Sequence, residues 1–286
     1  MAEQPENALI VRAGDGVQDA VPLGDGIFMS RDVSNAYRVV TPAGDVIINT
    51  GIVWHEQENH RRLSAVSDKP VAKIVFTQSH DDHIGGWRKF AGPDVETIAQ
   101  ANFAHVRGYW TGLGEAMTRR SRHLWSRDQP KEMTERPEPT VTTTFQDSHS
   151  FELGGRRFEL YATPGGETLD SLVVWMPKER VVFTGNLTGP LFGHVPNLYT
   201  LRGDKIRYVD WRVELPLWQD QSDCFVCAAC LPGRWRTDEN HEAAQRASGR
   251  DRRVKLSIDI STDVRRQVGR QRRTRTGRKS DGWVDS

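Results

Sequence analysis

Short runs of β-branched and aromatic residues, separated by Gly, Asp and Pro, dominate the first 50 residues. Such runs are typical of short strands joined by tight turns. Three strands are therefore predicted, with the sequences GIFMS, NAYRVVT and DVIINTG. The polar stretch HEQENHRRLSAV that follows predicts a helix, and the continuous apolar run VAKIVFTQ predicts a strand that is buried on both faces.

A helical spacing of apolar residues begins after Gly85 and Gly86, in the segment IAQANFAHVRGYWTGLGEAM. Residues three or four positions apart share one face of a helix, so this segment predicts a helix with a single apolar face. The following RRSRHLW is expected to extend it. The predicted face consists of Phe103, Val106, Trp110, Leu113 and Met117.

Residues 127–144 are rich in Pro and Thr and predict an irregular connection. Strands resume with SFELGGRRFELYAT, a hairpin expected to turn at Gly154-Gly155, and with the strand pair DSLVVWMP and RVVFTGN. Antiparallel strands come first, then strands alternating with helices, then strands again. This order predicts an α/β (α+β) fold, an αββα sandwich of two packed sheets with helices outside.

Composition fits a globular protein without a membrane span. The 286 residues are 37% hydrophobic and 27% charged, and no run of 18 apolar residues occurs. The first residues are partly acidic and lack an apolar stretch, which argues against a secretory signal. Three cysteines are too few for a disulfide framework. We therefore expect a cytoplasmic protein.

Charge is distributed unevenly along the chain. Residues 234–286 contain 15 Lys and Arg against 8 Asp and Glu, a net +7, and the remaining residues contain 24 against 30, a net −6. The basic end also has few apolar residues, which is typical of disorder. We therefore predict an N-terminal extension at 1–21, one domain at 22–221, and a Cys cluster with a basic, disordered tail at 222–286.

The predicted tail opens with the pattern C-x-x-C-x-x-C at Cys224, Cys227 and Cys230. An iron–sulfur site of this kind needs a fourth ligand, and the chain has no fourth cysteine. The Arg-rich sequence beyond it has three interpretations: a basic arm attracted to phosphates, an out-of-frame translation of a GC-rich gene, or a divergent or truncated end of the domain. We favour the out-of-frame translation and do not expect nucleic acid as a partner.

Candidate chemistry is concentrated in FTQSHDDHIGG, residues 76–86. Zinc binds imidazole nitrogens and carboxylate oxygens in a small tetrahedral space. A strand that ends in a tight loop can supply such donors from neighbouring positions, and glycines after them let the next helix approach closely. The residues His80, Asp82 and His83 therefore predict a metal site.

The same segment resembles the H-x-H-x-D-H metal signature of the metallo-β-lactamase superfamily. In this alignment Gln78 stands at the first His of the signature, and His80, Asp82 and His83 match the rest. The segment TPGGETLDSLVVWMP is similar to the next metal loop, with Glu167 where many members have His. The segment RVVFTGNLTGP is similar to the strand that bears the metal-bridging carboxylate, with Asn186 at that position.

The octapeptide PNLYTLRG at 196–203, together with Glu167, resembles the alkyl sulfatase branch of the superfamily. The resemblance implies a two-zinc hydrolase that cleaves a small-molecule sulfate ester to an alcohol and sulfate by a metal-activated water. It implies a catalytic role for Asp82. Asn197 and Arg202 would hold the sulfate, because Arg presents a planar donor fork to such an anion.

Three departures from the family pattern change this expectation. Gln78 and Asn186 offer neutral amides where the family has an imidazole and a carboxylate, and the region expected to hold a late His ligand reads CFVCAACLPGRW. We therefore predict a sandwich that is incomplete at its C-terminal end, one or two zinc ions at most and impaired activity. Two alternatives stay open: a hydrolase of another ester, lactone or thioester, and a catalytically silent binding protein of the same fold.

Overall fold

Two stacked β-sheets form the centre of the fold. The computed structural model describes residues 14–125 and 138–187, together with the strands Cys224–Cys227 and Gly233–Arg234. The predicted αββα fold class is confirmed, and the described residues supply its two packed sheets and the helical layer of the first sheet. None of the described helices is long and apolar enough to cross a membrane.

The first sheet changes from antiparallel to parallel pairing along its width. Strands β1 to β4 form a meander, and β4 to β7 pair in parallel because each connection crosses over before the next strand begins. The strands are β1 Val21–Gly24, β2 Ile27–Ser30, β3 Ala36–Val39, β4 Asp45–Ile48, β5 Val71–Val75, β6 Glu96–Gln100 and β7 Thr143–Phe145.

The second sheet begins with the predicted hairpin, which is confirmed. Leu153 pairs with Arg156 across a two-residue turn, and Gly154 and Gly155 have φ values of 55° and 77°. Left-handed backbone of this kind suits glycine. The strands in spatial order are β13 Gly233–Arg234, β12 Cys224–Cys227, β11 Val181–Gly185, β10 Leu172–Met176, β9 Arg156–Ala162 and β8 Ser148–Leu153.

Alternate residues of each strand fill the space between the sheets. On β4, Val46 and Ile48 point toward the second sheet, while Ile47 packs under the helices. On β10, Leu172 and Val174 point into the same central core and Val173 lies on the other face. Two-sided burial of this kind explains the continuous apolar runs of these strands.

Helices cover the outer face of the first sheet. They are α1 Glu56–Ser64, α2 Asp81–Ile84, α3 Trp87–Phe90 and α4 Phe103–Trp125, and a 3-10 turn at Val53–His55 precedes α1. Leu63, Ile84 and Phe90 from the first three helices, and Phe103 from α4, pack on that face. The helix α2 starts at the predicted metal motif, so the same packing fixes the position of the motif.

Two details of the predicted long helix are wrong. Residues 96–100 form strand β6, and the helix begins only at Phe103. Leu113 is 39% exposed, and the helix is kinked at the next residue, Gly114 (φ 11°, ψ −91°), so the apolar face does not continue unbroken. Phe103, Val106 and Trp110 are buried as predicted. The side chain of Met117 lies outside the described residues.

The strand VAKIVFTQ is buried on both faces only in its second half. Ile74 and Val75 are fully buried, but Val71, Ala72 and Lys73 are half-buried. Lys73 pairs with Glu96 on the neighbouring strand and lies over the Phe151 ring, so this end of the sheet admits a charged side chain. The predicted connection at 127–144 ends in strand β7, and residues 126–137 lie outside the described residues.

Two strands lie in the part of the chain where sequence predicts a disordered tail. Cys224–Cys227 pairs in parallel with β11, and Gly233–Arg234 pairs with it in turn. Cys224 and Cys227 are therefore residues of the second sheet. The other residues of the predicted tail, including Cys230, lie outside the described residues.

Candidate metal centre

Three chain segments meet at one edge of the sandwich. They are the loop after β5, the loop before β10 and the end of β11. Leu172 N donates to Thr77 O over 2.8 Å and ties the first two segments together. Gly185 has a φ of 54°, and a Cβ there would lie 2.8 Å from Thr77 Oγ1, so only glycine permits this close approach. The edge is thereby closed around a small buried volume.

Four of the predicted residues converge in that volume. Gln78 Nε2 donates to Glu167 Oε2 over 2.7 Å, and lies 2.8 Å from His83 Nε2 and 3.1 Å from His80 Nδ1. His80 Nδ1 and Glu167 Oε2 are 3.6 Å apart. All four side chains are buried. The structure thus brings together residues that are up to 89 positions apart in the sequence.

Asn186, the residue at the bridging position of the family pattern, contacts the same carboxylate. Its Nδ2 donates to Glu167 Oε2 over 2.6 Å. Within the described part of the chain, its buried Oδ1 has no hydrogen-bond partner. One carboxylate oxygen of Glu167 therefore accepts hydrogen bonds from two amide groups, a charge-assisted arrangement.

Asp82 lies to one side of this cluster. Its Oδ2 accepts a hydrogen bond from Ser34 Oγ and lies 3.6 Å from His83 Nε2. Ser34 Oγ is itself 3.3 Å from His83 Nε2. Ser34 comes from the loop between β2 and β3. It was not predicted, because a single serine in a polar loop has no distinctive spacing.

Hydrogen bonds behind His83 fix its ring. Thr77 Oγ1 lies 3.3 Å from His83 Nδ1 and accepts a hydrogen bond from Asn49 Nδ2 over 3.0 Å. Asn49 Oδ1 in turn accepts from Thr77 N over 2.9 Å. Asn49 follows β4 and has a φ of 56°, a conformation that Asn tolerates better than most residues. Contacts of this kind orient a histidine toward one tautomer.

Arg107 on α4 clamps the loop that carries the motif. Its Nη1 donates to Ser79 O over 3.0 Å and to Asp81 Oδ1 over 2.8 Å, and its other donors hold Glu138. Burial lowers the pKa of Arg107, but the bonds to Glu138 and the charge of Asp81 outweigh it and raise the pKa overall. Asp81 is thus an ion-pair partner of Arg107.

Two further residues border the cluster. The ring of Trp110 meets that of His80 edge-on, with centroids 4.9 Å apart, and forms an apolar wall. Asp170 is buried, and burial raises the pKa of its carboxyl. Hydrogen bonds from the side chains of Thr168 and Ser79 and the charge of His80 partly offset this rise in pKa. The sequence carried no signal that places Trp110 or Asp170 beside the site.

A second polar network fixes the loop that carries Ser34. The buried Asp32 carboxylate lies 2.5 Å from His55 Nδ1, and accepts hydrogen bonds from Asn59 Nδ2 over 2.6 Å and from Ile52 N over 2.9 Å. The hydrogen bond to Asp32 is the main cause that raises the pKa of His55. This network joins the β2–β3 loop to the segment after β4.

The donor types around Gln78 are those of a zinc site, but in the described residues their present arrangement does not form one. Two imidazole nitrogens and one carboxylate oxygen converge on one point, and these are donors that zinc accepts. The amide nitrogen of Gln78 occupies that point. In the described residues, no group of three or more His, Cys, Asp or Glu side chains has the geometry to hold an ion. A second ion would have to be held by Asp82 and the neutral Asn186. Asn197 and Arg202 lie outside the described residues.

An αββα sandwich with His, Asp and Glu side chains gathered at one edge defines a class of metallo-hydrolases. A family model for the metallo-β-lactamase superfamily matches residues 29–197. This match spans more than half of the chain, and the fold agrees with it. The chain belongs to the metallo-β-lactamase superfamily.

Relatives with known names lie in two branches of that superfamily. The chain is 28% identical over 195 residues to a linear primary-alkylsulfatase of Pseudomonas sp. (strain ATCC 19151), covering 59% of this chain and 36% of that protein. It is 25% identical over 155 residues to a type 2 metallo-beta-lactamase of Elizabethkingia meningoseptica, covering 53% and 51%. The chain thus spans about a third to a half of the length of these relatives.

Solved structures support the same fold. The stereoselective inverting sec-alkylsulfatase Pisa1 from Pseudomonas sp. superposes with a TM-score of 0.67 at 20% identity, over 85% of this chain and 44% of that chain. The predicted resemblance to the superfamily and to its alkyl sulfatase branch is confirmed.

Proposed function

We propose that this chain is a metal-dependent hydrolase of sulfate esters of the alkyl sulfatase type, with a site for one divalent ion, zinc. The observation that carries the proposal is the convergence of Glu167 with His80 and His83 at one buried point. Similarity to a primary alkylsulfatase supports the substrate class. The cytoplasmic location predicted from the sequence is part of this proposal.

His80, His83 and Glu167 would hold the ion, which supplies a water acidic enough to attack at neutral pH. Asp82 is half-buried beside His83, so its carboxylate can take the proton that the attacking water loses. Ser34 donates to Asp82 and fixes the orientation of that carboxylate. Asn197 and Arg202 would bind the sulfate oxygens, as the family resemblance implies.

A catalytically silent binding protein of the same fold is the second candidate. The amide groups of Gln78 and Asn186 favour it, because both donate to the carboxylate that would otherwise bind a cation. A third candidate is a hydrolase of another ester, a lactone or a thioester. It differs from the first candidate only in its substrate and uses the same metal site. A β-lactam belongs in the same comparison because of the relative in Elizabethkingia.

The test combines metal content with turnover. Zinc per chain is measured by mass spectrometry, and sulfate release is measured with a primary and a secondary alkyl sulfate beside a lactone, a thioester and a β-lactam. We expect fewer than two zinc ions and sulfate release slower than the usual range of about 1–10³ per second. Chelator and the isosteric variant Glu167→Gln should abolish the release.

Each alternative gives a different result. Two full zinc equivalents in the parent chain would refute the single-ion site. Zinc binding without turnover of any substrate would support a catalytically silent binding protein. Faster turnover of a lactone, thioester or β-lactam than of alkyl sulfates would support a hydrolase of that substrate class instead. The double variant Gln78→His with Asn186→Asp should raise the zinc stoichiometry, because it restores two better donors.

A further inference from the structure

The Gln78 side chain occupies the point where a cation would bind. Its amide nitrogen lies 2.7–3.1 Å from three acceptor atoms, one on Glu167, one on His83 and one on His80. Gln78 is 1% exposed, so water does not share this position. The amide nitrogen therefore has the surroundings of an ion rather than those of a surface side chain.

The chemistry of the three acceptors fixes which end of the amide faces them. A carboxylate oxygen only accepts hydrogen bonds, and a neutral imidazole presents one acceptor nitrogen. The amide NH₂ group carries two hydrogens for these acceptors, whereas the amide oxygen would face the lone pairs of Glu167. Asn186 adds a third hydrogen from the other side of the carboxylate. With one hydrogen from each amide on Glu167, the second Gln78 hydrogen is left for the two imidazole nitrogens, so hydrogen bonds link these side chains without any cation.

We propose that Gln78 is an internal substitute for the metal ion. It holds His80, His83 and Glu167 together in the metal-free protein, and its side chain must leave the point of convergence before an ion can bind. Zinc bonds of about 2.0–2.2 Å are shorter than these hydrogen bonds, so the acceptors then close in. The inference rests on the proposed function only in taking these three residues as the metal ligands.

Two variants at position 78 separate occupancy from other effects. Gln78→Ala empties the point of convergence, while Gln78→Leu keeps it filled without a hydrogen-bond donor. Both should lower the melting temperature in chelator, because buried acceptors lose their donor. Only the alanine variant should then bind zinc more tightly than the parent, by at least tenfold.

Gln100 provides a matched control. It is another buried glutamine whose amide makes two hydrogen bonds, to Gln146 O at 3.0 Å and from Asn102 N at 2.6 Å. Gln100→Ala should lower the melting temperature and leave zinc affinity unchanged. Zinc affinity is measured by competition with a chromophoric chelator. If Gln78→Ala is unfolded in chelator, zinc-dependent refolding is followed by tryptophan fluorescence, and the zinc affinity is obtained after the free energy of folding is subtracted.

The outcomes separate this inference from the proposed function. Zinc affinity in Gln78→Ala that equals or falls below that of the parent would overturn the inference, and a fall would make the amide oxygen a ligand. A tenfold gain in the alanine variant but not in the leucine variant supports the inference even if no sulfate ester is cleaved. Sulfate release by the parent, combined with no gain in the alanine variant, would support the function and overturn the inference.

Discussion

The substitution Asn186→Asp tests how the amides stabilise Glu167. It places a second carboxylate 2.6 Å from Glu167 Oε2, where the amide nitrogen now donates. Two unit charges at that distance repel by about 6 kcal/mol at an effective dielectric constant of about 20. Protonating one carboxyl at pH 7 costs less, about 4 kcal/mol, since the ordinary pKa of Asp is about 3.9. Protonation therefore wins, and the new carboxyl donates a hydrogen bond as the amide did.

The unfolding free energy that Asn186→Asp is expected to lose therefore depends on pH. It is about 4 kcal/mol at pH 7 and about 1.5 kcal/mol at pH 5, because protonation costs about 1.36 kcal/mol for each pH unit above the ordinary pKa. The assay is urea unfolding in chelator, followed by tryptophan fluorescence, at both values. Saturating zinc should reverse the loss, because an ion binds the folded state alone.

A double-mutant cycle isolates the repulsion. In the Glu167→Gln background the charge of Glu167 is absent, so charge repulsion should make Asn186→Asp cost about 1 kcal/mol of unfolding free energy or less. The difference between the costs at pH 5 and pH 7 should then largely vanish. An equal cost in both backgrounds, or an equal cost at pH 5 and pH 7, would show that the two side chains do not interact as described.

Three further predictions concern the frame around the site. Arg107→Met should lower the free energy of urea unfolding by about 2 kcal/mol. This is less than for a fully buried ion pair, because the acidic partners of Arg107 reach solvent. The control Arg88→Met, at an exposed position, should change it hardly at all. His55→Gln should destabilise the protein by its full amount below about pH 6.5, and by less as pH rises through the raised pKa of His55. A loss of stability that stays constant up to pH 9 would contradict this. Gly185→Ala should cost about 3 kcal/mol, since a Cβ there meets a threonine side chain, whereas Gly155→Ala has open space and should cost about 1 kcal/mol.

Strand and helix types were predictable where residues repeat with a clear period. The runs around β3, β4, β10 and β11 alternate between two buried faces and appear where expected. Strand β6 was missed because its five residues run almost directly into α4, and Ala and Gln in it suit a helix. The exposure of Leu113 was missed because periodicity assumes a straight helix and Gly114 breaks it.

The meeting of Glu167 with His80 and His83 was predictable, because both loops end apolar strands and such loops gather at one edge of a sandwich. The parts played by Ser34 and Arg107 were not, since a serine in a loop and an arginine on a helix are common and carry no spacing signal. The direction of the Gln78 amide was also beyond the sequence, because it depends on acceptors from three separate segments.

Gln78 and Asn186 act on Glu167 as a pair. Its Oε2 atom accepts hydrogen bonds of 2.7 Å and 2.6 Å from the two amides, so each amide relies on the negative charge that the other also stabilises. Changing Asn186 alone to Asp forces one of two neighbouring carboxyls to be protonated, and changing Gln78 alone to Ala removes the buried donor. Residues in one network of this kind do not contribute additively. The stability cost of changing one amide in the metal-free protein should therefore depend on whether the other amide is still present.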